Sequence, residues 1–163
     1  MKIYIVKETA IDEKRVALVP DVAKKFIKDG FEVFLEKDAG YLSQFTDKDF
    51  TSVGVKIDND QNDISDADVI FCVRIPEDNL INKIKSGACL IGLLNPYDNK
   101  EKLELLSKKG INAFSMELIP RSPRAQSMDV LSSQSNLAGY RAVVDCVAEF
   151  EKAVPMMMTA AGT

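Results

Sequence analysis

The stretch ADVIFCVRIPEDNLINKIKSGACLIGLLNPYDNKEKLELLSKKGINAFSM, residues 67–116, carries the pattern that decides the fold. Two continuous apolar runs, 67–73 and 88–94, are typical of strands that are buried on both faces of a parallel sheet. Helical spacing follows each run, over 77–85 and 100–109, before strand spacing returns over 111–116. Strands that alternate with helices predict right-handed crossovers within one parallel sheet.

The same alternation extends to both ends of the chain. Strands are predicted over 2–6 and 31–35, with a minor strand over 55–57; helices are predicted over 21–28, 46–50 and 132–152. We therefore expect an α/β fold with a doubly wound, mostly parallel sheet, a Rossmann-like or flavodoxin-like three-layer sandwich. The expected domains are 1–130 and 131–163, the latter a long C-terminal helix that leads to a second domain missing from this chain.

The sequence has no histidine among its 163 residues, which removes the commonest general base and metal ligand. A Ser-His-Asp triad and a histidine-containing zinc site are therefore excluded, and no metal site is predicted. Its three cysteines lack CxxC spacing, so we expect reduced thiols and no disulfide framework. The net charge of −4 argues mildly against nucleic acid, and the longest apolar run is too short to cross a bilayer.

The loop before the long helix is rich in groups that bind ligands. Residues 121–129, RSPRAQSMD, hold two arginines, a glutamine, two serines and an aspartate, and Pro123 stiffens the backbone. Arginine offers a planar fork of donors that suits phosphate or carboxylate, while aspartate accepts from a ribose hydroxyl, an amide or an arginine. Such sheets bind ligands beyond the carboxyl ends of their strands, so this loop is a candidate site.

A stripe of small side chains follows the loop at helical spacing. It comprises Ser132, Ser135, Gly139, Ala142 and Cys146. Small side chains let another group approach the helix backbone closely. Packing against a helix or a sheet is the favoured interpretation of the stripe, and a bound ligand is the alternative.

Residues 121–140 and the segment VPMMMTAAGT at 154–163 resemble the alpha subunit of the proton-translocating NAD(P) transhydrogenase. The chain as a whole is similar to the N-terminal region that this subunit shares with alanine dehydrogenase. The resemblance implies Re/Si-specific hydride transfer between NAD(H) and NADP(H), coupled to proton movement across a membrane. By motif position it assigns Arg121, Gln126 and Asp129 to catalysis at the nicotinamide end of NAD(H). The cofactor-binding positions that it implies are Arg121, Ser122, Pro123, Arg124, Gln126, Asp129, Ser132 and Tyr140.

Three further positions match alanine dehydrogenase or depart from it. Arg15, in the pattern E-x-R-V-A-L-V-P, matches the arginine that holds the substrate carboxylate in that enzyme, and Arg74 replaces its substrate-binding lysine. Asn95 stands near the place of its catalytic histidine, a departure that argues against amino-acid dehydrogenation. Because these three residues and the loop 117–129 follow strands, we expect them to converge along one edge of the sheet.

No GxGxxG motif follows a strand in this chain. The resemblance places the nucleotide-binding Rossmann domain just after residue 163, so we expect a fragment that is inactive alone, with NAD(H) bound mainly by the missing domain. It further implies a homodimeric component on the cytoplasmic face of the inner membrane. Its partners would be an NADP(H)-binding beta subunit or domain, and membrane domains that move protons.

Two other functions stay open from the sequence. An amino-acid dehydrogenase such as alanine dehydrogenase would need a positioned acid or base, and this chain offers no histidine for that role. A non-catalytic α/β binding module would be consistent with the absent phosphate loop. Direct hydride transfer needs no protein acid or base, so the missing histidine favours the transhydrogenase.

Overall fold

A computed structural model describes residues 1–152 of the chain. The segment 154–163, which contributed to the resemblance, lies outside the described residues. The chain divides into two compact units, Met1–Ile119 and the residues from Pro120 onward. The domain boundary predicted between residues 130 and 131 stays a prediction.

The first unit is built on one six-stranded sheet in the order β3-β2-β1-β4-β5-β6. Every neighbouring pair of strands is parallel. The chain winds outward from β1 in one direction and then from β4 in the other, which confirms the predicted doubly wound α/β fold. The strands are β1 (Lys2–Ile5), β2 (Glu32–Glu36), β3 (Lys56–Asp58), β4 (Val69–Arg74), β5 (Cys89–Leu93) and β6 (Asn112–Ser115).

Four helices connect these strands, and a fifth forms most of the described part of the second unit. They are α1 (Pro20–Lys28), α2 (Asp47–Ser52), α3 (Asp78–Ile81), α4 (Lys100–Lys108) and α5 (Val130–Glu149). Thr46 caps α2: its backbone N–H donates to the Asp49 carboxylate at 2.6 Å, and its hydroxyl accepts from the Asp49 N–H. The prediction of a helix over 77–85 was wrong in length, since α3 ends at Ile81.

Side chains that alternate along the strands fill two separate cores, one on each face of the sheet. Tyr4, Ile70 and Leu90 belong to the core that also contains Leu80 of α3 and Leu106 of α4. The opposite faces of the strands supply the second core, together with α1 and α2, through Ile3, Ile5, Leu35, Ala23 and Phe50. Helices on both faces of the sheet give the predicted three layers and leave the sheet open at the two ends of its strands. We call the end at which the strands terminate the carboxyl edge, and the end at which they begin the opposite edge.

Within residues 1–152, no helix has both the length and the apolar character needed to cross a membrane.

Candidate functional site

Backbone strain distinguishes the two edges of the sheet. In the described part of the chain, all non-glycine residues with a left-handed backbone lie in loops that leave the carboxyl ends of strands: Asp12, Asp38, Gln44, Gln61 and Asn95. The glycines with positive φ lie in loops that lead into strands at the other edge: Gly30, Gly54, Gly87 and Gly110. Glycine adopts this conformation without strain, whereas strained side-chain-bearing residues cluster at functional sites. The carboxyl edge is therefore the candidate functional edge of the first unit.

A buried carboxylate joins two arginines at this edge. Arg15 donates to Glu13 from Nε to Oε1 at 2.7 Å and from Nη2 to Oε2 at 2.6 Å. Arg74, at the end of β4, donates from Nε to the same Oε2 at 3.1 Å. Glu13 is only 8 % exposed. The predicted convergence of Arg15 and Arg74 is thus confirmed, and the three side chains, which we call the arginine clamp, carry one net positive charge.

The arginine clamp makes the stability of the protein depend on pH. Hydrogen bonds from the Arg15 guanidinium lower the pKa of Glu13 from 4.5 to about 2, against the opposing effect of burial. A pKa that is depressed in the folded state stabilises the fold above pH 4.5, and this contribution is lost as the pH falls through about 2. Because the arginines are partly exposed, we expect a contribution on the order of 2 kcal/mol.

Unfolding in urea between pH 2 and pH 7 measures this contribution. The free energy of unfolding of the wild type should fall more steeply below pH 4.5 than that of Glu13→Gln. Glu32→Gln is the control, because the Glu32 pair with Lys56 is over half exposed on both sides and is screened by solvent. Equal pH dependence in the wild type and Glu13→Gln would contradict the effect.

Glu8 anchors the loop after β1 to the end of β4. Its two carboxylate oxygens accept from the backbone N–H of Val73 at 2.6 Å and of Arg74 at 3.0 Å. These amides lie where the pairing of β4 with β5 shifts register, between Phe71 and Arg74. Burial raises the pKa of Glu8 in spite of both bonds. The side chain thus replaces a strand partner at this irregularity and fixes the position of Arg74.

Asn95 follows β5 at the same edge, but it offers no general base. It holds a left-handed backbone with φ 45°, and its backbone N–H donates to the Glu117 carboxylate. Its side-chain amide donates to Asp98 at 2.7 Å. The second carboxylate oxygen of Glu117 and the hydroxyl of Ser115 are buried without a hydrogen-bond partner in the described chain.

A cavity of about 220 Å³ opens at the carboxyl ends of β1 and β4. Strand order reverses between these two strands, and open parallel sheets bind ligands at such a switch point. Acidic and basic groups share its wall: Lys7, Glu8, Glu36, Arg74 and Glu77. Two of these acids already have donors, since Glu8 accepts from the end of β4 and Glu36 accepts from the Lys7 N–H at 2.9 Å. The charged groups of the cavity therefore include both signs, and apolar atoms form the larger part of its lining.

The second unit holds the predicted ligand loop. Arg121, Ser122, Pro123 and Arg124 are exposed in an irregular segment, and Gln126 begins a short 3-10 turn, Gln126–Met128. Asp129 is the N-cap of α5: its oxygens accept from the Ser132 N–H at 2.9 Å and the Ser132 hydroxyl at 2.6 Å. These bonds, with a smaller contribution from the charge of Arg121, lower the pKa of Asp129.

The structure joins only some of the predicted site residues of this unit. Asp129 and Ser132 are hydrogen-bonded to each other, and Arg121 is close enough for its charge to act on the Asp129 carboxylate. Tyr140, 71 % exposed, lies further along α5. The stripe of small side chains along α5 is also exposed in the described chain. Whether these residues bind a nucleotide, and whether the loop joins Arg15 and Arg74, stays a prediction.

Two acids of the carboxyl edge, Glu8 and Glu13, were missing from the predicted site, and Glu117 lies in the predicted loop 117–129 without a role assigned to it. Glu13 had the clearest signal, since it precedes Arg15 by one intervening residue, and a carboxylate so near an arginine is a candidate ion pair. Residues 1–152 contain no cluster of three or more histidine, cysteine or acidic side chains arranged to hold a metal ion.

A model of the alanine dehydrogenase/PNT N-terminal domain matches residues 4–138. The chain belongs to this family. It is 48% identical over 169 residues to the first portion of the NAD(P) transhydrogenase alpha subunit of Rhodospirillum rubrum, covering 100% of this chain and 44% of that protein. A more distant relative, alanine dehydrogenase 1 of Staphylococcus aureus, is 29% identical over 144 residues, which cover 88% of this chain and 38% of the enzyme.

A solved structure supports the same assignment. The crystal structure of transhydrogenase from Sinorhizobium meliloti superposes with a TM-score of 0.90 at 44% identity, over 99% of this chain and 48% of that one. The chain thus spans less than half the length of the transhydrogenase relatives that it matches. The named relatives are oxidoreductases, and this family includes both transhydrogenase subunits and alanine dehydrogenases.

Proposed function

We propose that this chain belongs to the NAD(H)-binding component of a proton-translocating, Re/Si-specific NAD(P) transhydrogenase. The observation that carries the proposal is the 48% identity to a transhydrogenase alpha subunit over the entire chain. The match to alanine dehydrogenase is weaker and shorter, at 29% over 88% of the chain. The substrates are NAD(H) and NADP(H), between which a hydride is transferred.

The side chains available fit this chemistry. The bound nicotinamide nucleotide supplies the hydride, and direct transfer requires orientation and exclusion of water, without a protein acid or base. Amino-acid dehydrogenation requires a group that moves a proton, and the sequence has no histidine for it. Asn95, which follows β5, cannot replace a histidine in this role, because a side-chain amide neither gains nor loses a proton near neutral pH.

The exposed loop residues can orient a nucleotide. Gln126 both donates and accepts, as a nicotinamide carboxamide does, and Arg121 suits a phosphate. Each oxygen of the Asp129 carboxylate accepts one bond from Ser132 and retains acceptor capacity for a ligand. In this proposal Gln126 and Asp129 hold the nicotinamide end, while Arg121 anchors the nucleotide or the neighbouring loop. Ser122, Pro123, Arg124, Ser132 and Tyr140 complete the predicted contacts.

The partners follow from the same proposal. An NADP(H)-binding beta subunit or domain brings the second nucleotide, and membrane domains couple the transfer to proton movement. The component acts as a homodimer at the cytoplasmic face of the inner membrane, and most of the NAD(H) contacts come from a Rossmann domain outside this chain.

A hydride-transfer assay of the complete protein complex that contains this chain tests the proposal. We expect NADH-dependent reduction of an NADP⁺ analogue and no formation of NADH from NAD⁺ and alanine. Alanine-dependent formation of NADH would favour the amino-acid dehydrogenase, for which the arginine clamp is the supporting feature. Inactivity in both assays would favour the non-catalytic binding module.

A further inference from the structure

In the arginine clamp the carboxylate is buried and the two guanidinium groups are partly exposed. Glu13 is buried, whereas 38% of the Arg15 side chain and 56% of the Arg74 side chain remain exposed. The two arginines also come from distant segments, since Arg15 follows β1 and Arg74 ends β4. The Glu13 carboxylate thus accepts from two guanidinium groups at the carboxyl edge of the sheet.

The arginine clamp stabilises the fold, but stability does not require that both arginines stay exposed. Solvent screens an ion pair whose partners are exposed, and burial of the carboxylate carries a desolvation cost that the pairs offset only in part. The turn that directs Glu13 inward also holds Asp12 in a left-handed conformation with φ 63°. Side-chain-bearing residues held in this region cluster at functional sites.

The arrangement holds the two guanidinium groups in a defined orientation. A free arginine side chain loses rotamer entropy when it binds a ligand. Glu13 removes much of this freedom in advance, because it accepts from both Nε and Nη2 of Arg15 and from Nε of Arg74. Glu8 adds to the effect by holding the backbone N–H of Arg74 at 3.0 Å.

We propose that Glu13 is a positioning residue: it holds Arg15 and Arg74 in the orientation in which their guanidinium groups donate to an acceptor group of the bound nicotinamide nucleotide. The inference rests on the proposed function, and it adds a residue that acts through the two arginines. Glu13 itself does not contact the nucleotide, so its effect should disappear when the arginines are absent.

A double-mutant comparison in the complete transhydrogenase tests this dependence. Glu13→Gln keeps the shape of the side chain and removes its charge, and kcat/KM for hydride transfer from NADH should fall at least fivefold. In a protein that already carries Arg15→Met and Arg74→Met, Glu13→Gln should change kcat/KM less than twofold. Equal effects in both backgrounds, no effect in the first, or a rise in kcat/KM would overturn the proposal.

Asp68→Asn is the matched control at the opposite edge of the sheet. The Asp68 carboxylate also accepts two bonds, from the Lys2 N–H at 2.8 Å and from Lys85 Nζ at 2.6 Å. Its loss should affect stability and leave kcat/KM unchanged. If Glu13→Gln does not fold, Glu13→Asp replaces it under the same criteria, because the shorter acid cannot reach both arginines. A wild type without hydride transfer would refute the proposed function itself, whereas additive effects in an active enzyme would refute only the role of Glu13.

Discussion

Substitution of Asp58 by alanine should lower the free energy of unfolding by about 3 kcal/mol, because it leaves the buried Tyr4 hydroxyl and two partly buried backbone amides without their acceptor. Asp58 ends β3 and is 4 % exposed. Its Oδ2 accepts from the Tyr4 hydroxyl at 3.2 Å and the Asp63 N–H at 2.9 Å, and its Oδ1 accepts from the Asp60 N–H at 3.1 Å. Tyr4 is fully buried, so no water replaces the lost acceptor for its hydroxyl.

Two further substitutions separate the contributions within this network. Tyr4→Phe removes the hydroxyl and leaves Asp58 with its backbone donors, so the cost should be only about 1 kcal/mol. Asp58→Asn keeps one acceptor oxygen and should fall between the two. Urea denaturation at pH 7 measures all three, and a change of less than about 0.5 kcal/mol for Asp58→Ala would show that the network contributes little.

The Asp58 network also affects the carboxyl edge of the sheet. Burial raises the pKa of Asp58, but the amides of Asp63, Asp60 and Asn62 outweigh it and lower the pKa overall. These amides belong to the loop after β3, and that loop carries Gln61, whose side chain donates to Glu36 at 2.7 Å in the switch-point cavity. Loss of Asp58 should therefore loosen one wall of the cavity before it unfolds the sheet.

The sheet could be predicted because its strands are encoded by local apolar runs. The two runs in 67–73 and 88–94 become β4 and β5, and every other predicted strand is also present. The length of α3 could not be predicted in this way. Leu80, Ile81 and Ile84 have helical spacing and all three are buried, but the helix ends at Ile81 and Ile84 reaches the core from a turn. Spacing specifies which residues are buried, and it does not determine how far the helix continues.

The polar network was harder to predict than the core. Arg15 stood out from its motif, but its bond to Glu13 depends on a turn with Asp12 at φ 63°, and no hydrophobic period encodes such a turn. Asp129 shows the reverse case, since a residue singled out as a ligand for NAD(H) is also the N-cap of α5. An acid before a long helix is a common cap, so its structural role could have been predicted from sequence alone.

On the proposed function, Arg121→Ala, Gln126→Asn and Asp129→Asn should each lower the rate of hydride transfer at least tenfold in the complete protein that contains this chain. A tenfold loss corresponds to about 1.4 kcal/mol of transition-state stabilisation. The expected cause is misorientation of the nicotinamide ring, because the three side chains are proposed to hold that end of the nucleotide. Steady-state rates with NADH and an NADP⁺ analogue, with circular dichroism of each variant, make the measurement.

The choice of asparagine at position 129 separates the two roles of the aspartate. Asparagine is as good an N-cap as aspartate, so Asp129→Asn should keep α5 and remove only the charge, whereas Asp129→Ala should also cost about 1 kcal/mol of helix stability. Arg141→Ala is the control for Arg121, because Arg141 is an exposed arginine of the same unit that pairs with Asp145 on α5. Unchanged rates in all three loop variants would refute the assignment of the loop, and a loss in Asp129→Ala alone would show that Asp129 acts only as a helix cap.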